Sequence, residues 1–207
     1  SRSSCMPLPG FRLKRDVGQE CDQHNRNVQD WIETLDSPIL VLTARWSINV
    51  LGTNFDNGDG GIEPGNGKGL AGADLTELGS AFGKGGDDAR RARMIAEMER
   101  KIKELTNSYS VVLVYPIPEA GWDVPQTGAR AILRGKEVDL STSYALYKSR
   151  NADVIALFDS ITQQNLFRVR PDEVFCNTVI PDRCATVLEG RPLYRDDDHL
   201  SRFGAEL

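Results

Sequence analysis

Ser37-Pro-Ile-Leu-Val-Leu-Thr-Ala-Arg-Trp46 is the stretch on which the fold turns. Its four consecutive apolar residues, Ile39 to Leu42, carry no polar alternation and are too few for a helix, so they read as a strand buried on both faces. Such strands belong to parallel sheets. Ser37-Pro38 closes whatever comes before, because Pro lacks an N–H and biases the preceding residue away from helix. A helix comes before: Val28, Trp31, Ile32 and Leu35 recur at helical spacing. Residues 1–19, punctuated by Pro7, Pro9 and Gly10, read as irregular.

Toward the C-terminus the unit repeats. Asp87-Asp88 put acids at the start of a helix whose apolar stripe is Ile95, Met98, Ile102 and Leu105, and Val111 to Tyr115 is a second buried strand. A third helix, with Val154, Leu157, Phe158 and Ile161 on one face, precedes a third strand at Leu166 to Val169. This alternation predicts an α/β fold in three layers, a mostly parallel sheet with helices on both faces. In such folds sites gather at the C-terminal strand ends. The segments leaving those ends are Thr43–Trp46, Pro116–Glu119 and the stretch from Val169 to His199.

Between Gly52 and Gly86 lie twelve of the nineteen glycines, too long a run for an ordinary connector. It reads as a flexible surface loop or lid inserted at 52–86. Gly65-Asn-Gly-Lys-Gly69 lacks the pattern of a P-loop, and Asn54 to Gly61 lacks the ligand spacing of an EF-hand.

With 207 residues, 40% hydrophobic and 27% charged, residues 1–207 read as one domain. A net charge of -5 without a basic stripe argues against nucleic acid as a partner. The longest apolar runs fall short of the roughly 20 residues of a membrane-spanning helix. Four cysteines form two local groups, Cys5 with Cys21 and Cys176 with Cys184, without Cys-x-x-Cys spacing, so disulfides are the better reading than metal or redox ligands. Three connectivities are open to four cysteines; local pairing closes short loops, each worth about 3 kcal/mol for ~15 residues.

Imidazole chemistry has two candidates, His24 and His199. His24 opens an amphipathic helix, an ordinary solvated place. His199 ends Asp196-Asp-Asp-His199 in an irregular segment after the last strand. A base that takes a proton from a hydroxyl needs a carboxylate on its far ring nitrogen, and Asp196, three residues earlier, reaches it within one tight turn. The spacing alone equally allows an acidic surface turn with Ser201 capping the final helix. A metal site of Asp196, Asp198 and His199 would be cramped. Glu119 and Trp122 leave another strand end, as cleft residues or as a packed connector.

Tyr194-Arg-Asp-Asp-Asp-His-Leu-Ser-Arg-Phe-Gly-Ala205 resembles the last block of the SGNH (GDSL-like) hydrolase superfamily, in which Asp-x-x-His supplies two members of a Ser-His-Asp triad. More narrowly, the chain is similar to the SGNH domain fused to acyltransferase-3 membrane proteins. Ser3-Ser-Cys-Met-Pro-Leu8 before a second cysteine, the strand ending in Thr-Ala-Arg-Trp46, and a cysteine pair ahead of Asp-x-x-His fit that subfamily. The resemblance implies an SGNH/flavodoxin-like sheet and an O-acyltransferase, most simply O-acetyl, with Asp196 and His199 catalytic and no metal or organic cofactor. It implies a glycan acceptor, a lipopolysaccharide O-antigen or peptidoglycan sugar. It also implies a periplasmic location, tethered by a membrane acyltransferase-3 domain upstream in the same protein. A glycan O-acetylesterase and a non-catalytic carbohydrate-binding module are the alternatives.

The departures are specific. No Gly-Asp-Ser occurs, so against the resemblance the chain reads either as a domain that starts inside its fold, without its first strand and with the nucleophilic serine outside this segment, or as a degenerate member of the superfamily. The usual oxyanion donors are absent too. Ser3 and Ser4 backbone N–H groups or the Arg45 guanidinium are the substitutes, with Trp46 as either a sugar-stacking face or a core residue.

Overall fold

Leu40 and Leu42 of the opening stretch point into a core, whereas Ile39 and Val41 between them are 69% and 60% exposed. The expected strand is present, but only one of its faces is buried. The structure is a computed structural model that describes residues 5–14, 20–63 and 72–207. Along the chain run β1 (Phe11–Leu13), α1 (Glu20–Ile32), β2 (Ile39–Leu42), α2 (Trp46–Leu51), β3 (Ala73–Leu75), α3 (Gly86–Ser108) and β4 (Ser110–Val114). Then follow α4 (Val124–Leu133), β5 (Thr142–Ser143), α5 (Tyr144–Arg150), α6 (Ala152–Ser160), β6 (Leu166–Val169) and α7 (Asp172–Phe175). The last are β7 (Arg183–Cys184), β8 (Val187–Leu188), β9 (Arg191–Pro192) and α8 (Arg202–Ala205). The described residues fall into two compact units.

The first unit takes residues 5–53, 72–116 and 152–169. The protein is α/β, and this unit holds a parallel three-stranded sheet in the order β2-β4-β6. Its strands are the two apolar runs of the sequence and the expected third strand, Leu166–Val169. Register aligns Leu40 with Val111 and Leu166 on the buried face, and Val41 with Val112 and Phe167 on the other. The covered face packs on α3, whose Met94, Met98 and Ile102 are fully buried. Each such side chain contributes about 1.5–3 kcal/mol of burial. The opposite face leaves Ile39, Val41, Phe167 and Val169 exposed. A continuous apolar run therefore marks the strand correctly without telling how many of its faces are covered.

Three further features differ from the sequence reading. The N-terminal region is irregular only in part, because β1 pairs antiparallel with β3 from the glycine-rich stretch. That stretch is thus structured in its described parts, while residues 64–71 lie outside the described residues. The inward face of α1 is Cys21, Asp22 and Asn25, while Trp31 is 60% exposed. Asp22 accepts from Gly10 N (2.5 Å), and Asn25 donates to the carbonyls of Met6 (2.6 Å) and Leu8 (2.9 Å). This helix grips backbone, and a hydropathy pattern does not register such partners. Beside it the Cys5–Cys21 disulfide forms as expected.

Residues 54–63, 117–151 and 170–207 form the second unit. The chain enters it directly after β4 and again directly after β6, so it is built from segments that leave strand C-termini. Cys176–Cys184 is the second disulfide, on an antiparallel bridge between the two residues.

Candidate active site

Asp196-Asp-Asp-His199 forms the tip of a short hairpin in the second unit. Tyr194 and Leu200 bridge antiparallel, and Arg195 N donates to His199 O (2.9 Å), closing the loop. Inside it Asp196 turns the chain, its Oδ1 accepting from the backbone N–H of Asp198 (3.1 Å) and of His199 (2.7 Å). Asp is suited to this because its short carboxylate reaches amides two and three residues on. Ser201 caps α8 by accepting from Gly204 N (3.0 Å) and ties to Pro192 O (2.8 Å), fixing the far side of the loop. The capping role and the carboxylate–imidazole role, alternatives in the sequence, coexist on neighbouring residues.

His199 Nδ1 stands 3.1 and 3.0 Å from the two oxygens of Asp196. Asp198 Oδ1 is 2.9 Å from the same nitrogen. Carboxylates only accept, so the hydrogen-bond network assigns the ring proton to Nδ1 and leaves the Nε2 lone pair for a proton from elsewhere. Among the described residues nothing is bonded to Nε2, and the ring is 53% exposed. Burial pushes the Asp196 carboxyl up, but the N–H groups of His199 and Asp198 and the imidazole charge outweigh it, holding the carboxyl below its ordinary value. It therefore stays ionised where an imidazole can act as a base.

A second layer holds the loop from behind. Asp197 O accepts from Ala120 N (3.1 Å) and Gly121 N (3.0 Å), and Asp196 O from Val124 N (3.3 Å). The Tyr194 hydroxyl, buried and donating to Pro118 O (2.6 Å), pins the same turn. Burial first, and then the Glu119 charge, raise the Tyr194 pKa, so it remains a donor.

Asn57 clamps that turn to the described part of the glycine-rich stretch. Its Nδ2 donates to Ala120 O (3.0 Å), and its Oδ1 accepts from Asp59 N (2.9 Å) and Gly61 N (2.8 Å). A Cβ on Gly121, which has φ +74°, would stand 2.7 Å from Gly61 O, so glycine is required where the two segments touch. Sequence reasoning missed Asn57 and Tyr194 as supports. The only signals were an Asn among glycines and a Tyr two residues before the acidic run.

The other expected residues are placed as follows. Trp46, in the first unit, is 0% exposed. Its Nε1 donates to Val114 O (2.9 Å), and its ring meets Phe158 edge-on at 5.2 Å. It is a core residue and offers no face to a sugar, which settles that pair of readings in favour of packing. Arg45, half-buried at the N-terminus of α2, belongs to the same unit, and its carbonyl accepts from Asn49 Nδ2 (2.9 Å). Ser3 and Ser4 lie outside the described residues. Glu119 pairs with Arg150 at 2.5 Å, both largely buried, and Arg150 stacks over Phe55 at 5.2 Å. It supports the turn instead of opening to solvent. Asp196, Asp198 and His199 offer ligand atoms within 4.8 Å of one another, the set a divalent ion would use.

No helix among the described residues is long and apolar enough to cross a membrane. Compared with known proteins, the chain matches the family model "SGNH domain (fused to AT3 domains)" over residues 1–207. Neither the curated proteins nor the solved structures provide a match. The match spans the Asp196–His199 hairpin together with the rest of the chain, and the chain belongs to the SGNH domain family found fused to AT3 domains, a hydrolase- and acyltransferase-type module.

Proposed function

We propose that this domain is an O-acyltransferase for a cell-surface glycan, working through an acyl-serine with Asp196 and His199 as its orienting acid and base. The observation that carries the reading is the His199 ring, held by Nδ1 against Asp196 at 3.0 Å, with Nε2 facing no described partner. In the reaction a serine hydroxyl gives its proton to Nε2 as its oxygen attacks the acyl carbonyl. The imidazolium returns that proton to the departing group, leaving an ester on the serine. A glycan hydroxyl repeats the sequence in reverse: Nε2 takes its proton, the sugar oxygen takes the acyl group, and the serine hydroxyl is restored. The sequence has no Gly-Asp-Ser, so in this reading the serine is contributed from outside the 207 residues.

Two disulfides support an extracytoplasmic setting, since such bonds persist in oxidising compartments. The family's fusion to AT3 domains supports a membrane acyltransferase as the acyl source. The solvent exposure of the His199 ring also favours a second reading, a glycan O-acetylesterase, because water reaches the same acyl-enzyme. The test is a full-length protein carrying the serine, given an acyl donor and a surface glycan, with transfer and hydrolysis both measured. Transfer lost in His199→Ala with the fold retained is the expected result. Transfer retained in that variant removes His199 from the mechanism, and release of free acid alone assigns the esterase.

A further inference from the structure

The most exposed large apolar side chains among the described residues are not on the open sheet face. They are Ile132 (78%) and Leu133 (86%), at the end of α4. The start of that helix is fixed: Asp123 caps it by accepting from Gln126 N (3.0 Å), and Val124, its one buried residue, donates to Asp196 O (3.3 Å). About 15 Å along the axis, at ~1.5 Å per residue, the chain turns back sharply. Gly135 N donates to Ile132 O and Lys136 N to Ala131 O, both at 3.0 Å. Gly135 has φ +62°, the left-handed conformation such a helix end needs.

Around these two aliphatics stand Arg130, Arg134 and Lys136, all exposed and none in an ion pair with a described residue. One acid, Glu137, shares the tip. The next, Asp139, lies beyond the tip, accepts from Ser141 N (2.8 Å) and faces Arg183 at 3.8 Å. Three cations against one acid leave a positive tip on a chain whose net charge is -5.

We propose that this tip, Arg130 to Val138, docks on the surface of an anionic lipid bilayer. Two adjacent aliphatic side chains at a turn apex cannot supply the roughly 1,000 Å² that a specific protein interface needs. A bilayer needs no matching surface. The aliphatics enter the boundary between headgroups and acyl chains while the arginines and lysine stay at the phosphates, their stems lying along the apolar layer. Charge also favours this orientation, because an acidic chain is repelled by an anionic surface except where a positive patch such as this tip faces it. The proposal makes no use of the chemistry assigned to Asp196 and His199, and either can fail alone.

The test is flotation of the 207-residue chain with phosphatidylcholine vesicles, with and without phosphatidylglycerol. Binding is expected only when phosphatidylglycerol is present, weakening as salt screens the charges. Each cation neutralised should weaken it by roughly fivefold. Arg130→Glu/Arg134→Glu/Lys136→Glu and, separately, Ile132→Ser/Leu133→Ser should abolish it. All five side chains are solvent-exposed, and circular dichroism checks that the variants fold. Val41→Ser/Phe167→Ser, on the open sheet face, should leave binding unchanged. Equal binding to both vesicle types overturns the proposal, as does binding lost only in the sheet-face variant. So does concentration-dependent self-association, without vesicle binding, that the tip variants abolish; a second copy would then be the occupant.

Discussion

Asp196→Asn separates orientation from packing at the candidate site. Asparagine keeps Oδ1 and with it the bonds from the backbone N–H groups of His199 (2.7 Å) and Asp198 (3.1 Å), so the loop holds. What changes is the atom facing the ring, an amide NH₂ in place of the Oδ2 that lies 3.0 Å from Nδ1. Two donors cannot face each other. To the extent that the NH₂ faces the ring, Nδ1 gives up its proton, and Nε2, the acceptor in the proposed mechanism, becomes an N–H. In serine triads the wrong tautomer costs about 10⁴ in kcat, which is about 5.4 kcal/mol at ~1.36 kcal/mol per decade. The full loss is not expected from one substitution here, because the retained Oδ1, 3.1 Å from Nδ1, and Asp198 Oδ1, 2.9 Å from the same nitrogen, still accept part of the time. We expect a loss of about 10²-fold for Asp196→Asn and about 10⁴-fold for Asp196→Asn/Asp198→Asn. Acyl-transfer rates in the serine-containing protein give the losses, and ¹⁵N spectra of His199 report the tautomer directly. The reasoning is refuted if Asp196→Asn transfers at the unsubstituted rate, or if the double variant keeps its proton on Nδ1.

Asn57→Ala removes three hydrogen bonds and strands buried partners at Gly61 N and Ala120 O. At about 1–3 kcal/mol for each of the two orphaned groups it should cost roughly 2–6 kcal/mol, seen as a lower urea midpoint at constant slope; an unmoved midpoint would show the clamp to be idle. Asp196 has a depressed folded pKa, so its support of the loop is present above the unfolded value of about 3.9 and is lost as pH falls through the folded one. The His199 amide resonance should accordingly titrate with a midpoint below ~3.9, and a midpoint above that contradicts the sign of the shift. Trp46→Ala should destabilise by about 3–5 kcal/mol as a core truncation, and glycans should leave the Trp46 environment unchanged; protection of its fluorescence by a sugar would reverse the assignment. Gly204→Ala would set a Cβ 2.1 Å from Leu193 O, so it should destabilise by about 1–3 kcal/mol despite the usual helix preference for Ala, and a stabilised variant would show that the loop yields.

Whether a feature was legible in the sequence depended on whether its signal is local. Leu40 and Val111 sit in apolar runs whose length alone marks a strand, and Asp196 reaches His199 within three residues. Met98 and Ile102 announced α3 by spacing. The same logic explains the failures. Phe11–Leu13 meets Ala73–Leu75 across about sixty residues with no periodicity in either, so nothing local marks the pair. Asp22 and Asn25 look like a polar face turned to water, yet their partners are main-chain groups of the N-terminal segment. Asn57 and Ala120 are likewise joined by one side-chain bond between distant loops. Trp46 was ambiguous because a strand end suits both a binding face and a core anchor. Its burial was decided by Phe158, more than a hundred residues away.

A carboxylate–imidazole pair this open to solvent gains little from attraction alone. With the ring 53% and the Asp196 side chain 33% exposed, the ion pair belongs to the class worth about 0–1 kcal/mol. What this chain supplies is orientation, fixed by the hairpin closure at Arg195, the two backbone bonds to Asp196 Oδ1 and the turn at Ala120 and Gly121. In the proposed reaction a low dielectric would come from whatever covers the ring, the serine-bearing polypeptide together with the acyl donor or the glycan. Covering it strengthens the field of Asp196 on the imidazolium at the step where that charge forms. Uncovered, the same ring admits water. On the proposed mechanism, transfer and hydrolysis therefore diverge at one physical point, the identity of what excludes solvent from Nε2 after the acyl group is in place, and not in the Asp196–His199 geometry that both readings share.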